Sequence, residues 1–121
     1  MNQKQMFQNR TKLLAVQIIE MSTHLPKTIA AEVIGKQIIR SATSVGANYR
    51  AACRAKSKAD MINKLKIVEE EADETQFWLE ILIDTDLMPE SEITTLWQET
   101  DEILAMTVTS IKTLRNRQPK S

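Results

Sequence analysis

Six basic side chains fall within seventeen residues: Arg50, Arg54, Lys56, Lys58, Lys64 and Lys66, opposed only by Asp60. Cations at this density attract phosphate by releasing its counterions, an interaction that weakens steeply as salt rises. The cluster is therefore the candidate nucleic-acid-binding feature, for RNA or DNA. Tyr49 is the one aromatic interleaved with it, so stacking on bases has little support. The alternative reading is a solvated end of the fold, or one half of a complementary subunit contact.

The opposite charge is concentrated just downstream, in Glu69-Glu70-Glu71-Ala72-Asp73-Glu74. Bundles that hold two metals in carboxylate sites pair such glutamates with Glu-x-x-His motifs. The single histidine, His24, belongs to no such motif; Glu20 lies one turn before it, and two ligands do not make a site. Cys53 stands beside Arg54, which favours a thiolate, but a lone cysteine among alanines reads as a small packed side chain. Trp78 and Trp97 read as core or interface filling. There is no glycine-rich phosphate loop, no metal-ligand cysteine set and no nucleophile with a matching base. The expectation is a protein that is not an enzyme and takes no cofactor and no metal.

These residues must be positioned by helices. Ile34, Ile38, Ser41, Val45, Asn48 and Ala52 step at four and three residues, the heptad stripe of helices lying nearly parallel in a bundle. Asn48 on that seam reads as a satisfied polar group that fixes register, as a seam asparagine does in coiled coils. Ser41, Ser44 and Asn48 are each about one turn apart and form a candidate hydrogen-bonded ladder toward the next helix. Arg40 is placed to reach Glu70 or Glu74 on that helix. Gly46 lowers helix propensity by about 1 kcal/mol relative to alanine, and close packing is the expected compensation.

Four helices are predicted, at about 5–24, 29–56, 58–84 and 89–115, with 116–121 a frayed basic tail. In the first, Phe7, Leu14, Ile18, Met21 and Leu25 form a stripe that Leu13, Val16 and Ile19 widen. Pro26 closes it, because the residue before a proline is pushed out of helical geometry. Thr28 and Ser57 are the candidate N-caps of the second and third helices. The third carries Met61, Leu65, Val68, Ala72, Thr75, Leu79 and Leu82 inward. From Phe77 to Ile83 it is apolar on nearly every side, which marks burial against more than one partner. Phe77, Trp78 and Ile81 are therefore the predicted oligomer interface. Pro89 suits a first helical position of the fourth helix. Short connections between long helices give an all-α fold of one domain over residues 1–121, an up-down-up-down four-helix bundle.

The chain's 16 Lys and Arg balance its 16 Asp and Glu, but the balance hides a segregation. Residues 1–66 hold 12 basic and 3 acidic side chains, whereas residues 67–111 hold 13 acidic and none that is basic. No apolar run approaches the roughly 18 residues of a membrane span, and the charged N-terminal stretch does not read as a secretory signal. One cysteine allows no internal disulfide. A cytoplasmic protein with no membrane partner is expected.

The residues Leu25-Pro26-Lys27, Gln37-Ile38-Ile39-Arg40-Ser41-Ala42-Thr43-Ser44-Val45, Asn48, Ser57 and Glu74 carry a resemblance to the four helix bundle protein family. Its founding members are encoded in intervening sequences of bacterial large-subunit ribosomal RNA genes. The resemblance runs from about Leu14 to Leu114. It implies a left-handed antiparallel bundle, commonly assembled as a homopentameric ring, with no catalytic role. Arg50-Ala51-Ala52 and Glu70-Glu71 replace, respectively, the family's acidic-glycine and Gly-Ser pairs, which sets this chain in a subgroup. A related branch, the accessory proteins of diversity-generating retroelements, is strongly basic and binds nucleic acid, whereas this chain is neutral. The leading expectation is a non-enzymatic, self-assembling interaction protein, with a nucleic-acid-binding accessory as the alternative.

Overall fold

The computed structural model of the chain describes residues 2–117. Almost all of them lie in α1 (Gln3–Ser22), α2 (Ile29–Cys53), α3 (Lys58–Asp84) and α4 (Glu90–Asn116), with no strand among the described residues. Residues 118–121, in the expected basic tail, lie outside the described residues, while Asn116 closes α4 and Arg117 caps it.

Each boundary has a local cause. Asn2 and Gln5 form a capping box at the start of α1: the Asn2 side chain accepts from Gln5 N–H, and the Gln5 side chain from Asn2 N–H. Thr28 and Ser57 cap α2 and α3 as expected, accepting from the N–H groups of Ala31 and Asp60. α1 stops at Ser22, ahead of Pro26, and α2 stops at Cys53 rather than Lys56, because the Ser57 cap needs extended chain before it. α3 ends in a Schellman motif: Leu87 N–H donates to Leu82 C=O and Asp86 N–H to Ile83 C=O, with Asp86 at a positive φ of 55°. Pro89 is the N-cap of α4 rather than its first helical residue, so its missing N–H removes no helical bond.

The contacts climb one helix as they descend its neighbour. Phe7 meets Tyr49, and Lys4 meets Cys53, between α1 and α2. Gln76 meets Asp101, and Glu80 meets Trp97, between α3 and α4. α1 and α3 each pack on α2 and α4 and not on each other, so they are diagonal. This is the arrangement expected of an up-down-up-down bundle.

Leu14, Ile18, Ile38, Val45, Leu79 and Ile103 are fully buried in the core. Four threonines are buried with them, and each satisfies its hydroxyl on its own helix by donating to a carbonyl three or four residues back. Leu13, Val16 and Ile19 do not widen this core. They are 53%, 41% and 42% exposed, because a helix at a bundle corner buries one stripe and α1 presents two.

Candidate functional site

The α2–α3 seam holds most of the polar residues singled out in the sequence. Thr75 Oγ1 donates to Ser41 Oγ at 2.9 Å, and both side chains are fully buried. Asn48 does not reach α3: its Nδ2 donates to Ser44 C=O at 2.9 Å and Ser44 Oγ at 2.8 Å, within α2. The expected ladder therefore crosses the seam at Ser41 alone, and Asn48 is half-buried rather than central. Arg40 pairs with Glu74 and, at 2.9 Å, with Glu71. Glu70, one of the two partners expected, is exposed. Trp78 Nε1–H donates to Glu74 at 3.0 Å. That hydrogen bond, with Arg40, holds the Glu74 carboxyl below the usual carboxylate range.

The basic cluster divides. Arg50, Arg54, Lys56 and Lys64 line one open groove of about 660 Å³ between α2 and α3, with Asp60 the one acidic side chain in it. Ala47 and Ala51 also line it, each about one turn before an arginine, and both arginines are exposed. Asp60 is occupied by its cap: its N–H donates to Ser57 Oγ, and its Oδ2 accepts from Lys56 N–H. Lys58 turns away, donating to Arg117 C=O at 3.0 Å. Lys66 is exposed outside the groove. Four of the six predicted cations thus share one surface. The spacing alone did not separate them because it ignores where α2 ends.

Of the predicted interface residues, Phe77 is 51% exposed, whereas Trp78 and Ile81 pack partly against the bundle's own core. Trp97 does the same and donates to Glu80. Val33, 53% exposed, is an addition that the sequence pattern did not mark. It lies seven residues before Arg40, and Ile81 lies seven after Glu74. Seven residues are close to two turns, so the Arg40–Glu74 pair sets Val33 and Ile81 level on one shoulder. A second exposed apolar strip runs along α1 through Met6, Leu13, Val16 and Ile19. Phe77, on α3, lies on the helix diagonal to α1, and the two helices differ in charge. α1 carries Lys4, Arg10 and Lys12 against Glu20, whereas α3 from Ile67 onward carries carboxylates and no cation.

Among the described residues no three His, Cys, Asp or Glu side chains converge as a metal site. No described helix is long and apolar enough to cross a membrane. Residues 3–109 match the family model described as 23S rRNA-intervening sequence protein. The chain is also similar to a crystal structure from Bacteroides thetaiotaomicron, a protein of unknown function from the S23 ribosomal protein family. The two are 38% identical with a TM-score of 0.82, over 88% of this chain and 98% of that one. No curated protein matches the chain.

Proposed function

The chain belongs to the 23S rRNA-intervening sequence protein family, and from that premise we propose that it is a non-enzymatic, cytoplasmic interaction protein that assembles with copies of itself into a ring. The observation that carries this reading is the pair of exposed apolar surfaces, Leu13, Val16 and Ile19 on α1 and Phe77 on α3. One surface is flanked by cations and the other by carboxylates, so each complements the other better than itself. A head-to-tail contact between two different surfaces generates a closed ring when its rotation closes. Five subunits is the number implied by the helix-two resemblance. Phe77, with the accessible parts of Trp78 and Ile81, meets the next subunit's Leu13, Val16 and Ile19. Multi-angle light scattering at micromolar concentration in modest salt tests the proposal: a multiple of the chain mass supports it, and a monomer overturns it.

A second reading, RNA or DNA binding, is supported by the shared groove of Arg50, Arg54, Lys56 and Lys64. The surface is rich in charge and carries no exposed aromatic platform, so it suits phosphate contact without base readout. Elution from heparin tests it, and unchanged retention after replacing both arginines by alanine removes it.

A further inference from the structure

At the end of the bundle where α1 and α3 begin and α2 and α4 end lies an open cavity of about 800 Å³, a cleft whose mouth faces solvent. That is within the range of roughly 300–1,000 Å³ typical of small-molecule sites. It exists because α1 and α4 part company there. Arg10 ties them together just short of it, with its Nη2 2.6 Å from Glu99 and its Nη1 3.3 Å from Met106 Sδ. Around and beyond that tie α4 lines the gap with the small side chains Ala105, Thr109 and Ser110 between Met106 and Leu114, where a closed bundle would place larger apolar side chains throughout. Phe7 leans on Tyr49 of α2, ring centroids 4.4 Å apart, and does not fill the gap.

The interior surface is apolar. Ala52, Leu65 and Ile111 form a buried cluster separate from the main core, with Tyr49, Met61 and Leu114 packed on it, and all of these but Leu65 and Ile111 line the cavity. The charged part of the lining has one sign, beside the neutral Gln3, Ser57, Thr109 and Ser110. Lys4, Lys56, Lys58 and Arg117 border the cavity, and among the described residues no Asp or Glu does, in a chain with as many acids as bases. Lys4 Nζ donates to Cys53 C=O at 3.4 Å and Lys58 Nζ to Arg117 C=O at 3.0 Å. Each ammonium has three donors, so each keeps protons for a ligand. Burial beside Cys53 pushes the Tyr49 phenol up, so it stays neutral and adds no repulsion toward an anion.

We propose that this cavity binds a single-chain carboxylate amphiphile, a free fatty acid, with its acyl chain on Phe7, Tyr49, Met61 and Leu114 and its carboxylate among Lys4, Lys58 and Arg117. The apolar interior sets affinity through chain length, and the unopposed cations select the charged head. The apolar lining is used by neither the assembly nor the Arg50–Lys64 groove; of the cations, Lys56 is shared with that groove and Lys4 belongs to the basic α1, whereas Lys58 and Arg117 are in neither.

Fluorescence titration with 11-(dansylamino)undecanoic acid tests the site on the intact chain, followed by displacement with unlabelled carboxylates. Saturable binding of one probe per chain is expected. From octanoate to dodecanoate, affinity should rise about fourfold per methylene, as burial of each CH₂ implies. Dodecanol should displace the probe at least tenfold less well than dodecanoate. Filling the gap with Ala105→Leu and Ser110→Leu should weaken binding at least tenfold without lowering the melting temperature. Lys4→Gln with Lys58→Gln should abolish the preference for dodecanoate over dodecanol. Non-saturable uptake, equal displacement by alcohol and acid, or full affinity in the filled variant overturns the proposal. The wild-type comparisons decide it even if the filled variant fails to fold.

Discussion

Ser41 accepts a hydrogen bond from Thr75 at 2.9 Å across the α2–α3 seam, the two hydroxyls meeting where neither side chain touches water. Ser41 also donates to Ile38 C=O, and the single Thr75 hydroxyl proton is shared between Ser41 Oγ and Glu71 C=O. The pair is thus satisfied inside an apolar layer, and no buried side-chain polar atom among the described residues lacks a partner. Such a bond contributes about 1 kcal/mol net. Thr75→Val should cost about that much in urea unfolding. The double variant with Ser41→Ala should cost less than the sum of the single ones, because each single change already removes the shared bond.

Glu74 gives the fold a dependence on acid. Its folded carboxyl titrates below the usual carboxylate range, chiefly because it accepts from Trp78 and secondarily because of Arg40. The stabilising interaction is therefore complete above the unfolded carboxylate's pKa and is lost as pH falls through the folded value. Denaturant midpoints of the wild type should drop through that acid window, and Glu74→Gln should flatten this part of the profile. The Arg40 side chain is half exposed, so Arg40→Ala should cost no more than about 1 kcal/mol at neutral pH.

Three backbone positions invite stabilisation. A Cβ on Gly46 would stand 3.5 Å from the Thr11 backbone, an ordinary contact. The tight packing expected to compensate for this glycine therefore leaves room for a methyl, and Gly46→Ala should stabilise by up to about 1 kcal/mol. Gly35 is tighter, its Cβ meeting Leu25 Cδ1 at 3.1 Å, so Gly35→Ala should gain less. Asp86 holds the left-handed position of the α3 Schellman motif, and Asp86→Gly should stabilise by about 0.5–1 kcal/mol. Thermal melts check all three.

The heptad seams were legible because a bundle core imposes a single period. Leu65, Val68, Ala72, Thr75, Leu79 and Leu82 are all buried, as are Ile34, Ile38, Ser41, Val45 and Ala52. The period does not say what covers a second apolar stripe. Leu13, Val16 and Ile19 therefore read as core, although they face outward. The end of α2 was equally hidden, since Arg54 to Lys56 continue a helical composition and only the Ser57 cap ends it. That ending is what separates Lys58 from the arginine groove. The cavity by α1 and α4 had no sequence signal beyond the short side chains of Ala105, Thr109 and Ser110.

The division of the basic cluster makes a prediction of its own. Arg50→Ala with Arg54→Ala should lower the salt concentration of elution from heparin. It should also reduce the slope of log affinity against log salt by roughly 2, about one for each anionic group no longer neutralised. Lys66→Ala, outside the groove, should change neither. Equal effects from Lys66 would mean a diffuse charge effect rather than a groove.

The central claim is assembly through the α1 and α3 surfaces, and the mass of the particle tests it most directly. Sedimentation velocity at micromolar protein should give one species, five times the 13.8 kDa chain. Leu13→Glu with Val16→Glu, and separately Phe77→Glu, should each convert it to a folded monomer, since a carboxylate buried in an apolar contact is strongly disfavoured. A wild-type monomer, or an assembly that survives both sets of substitutions, would contradict the account.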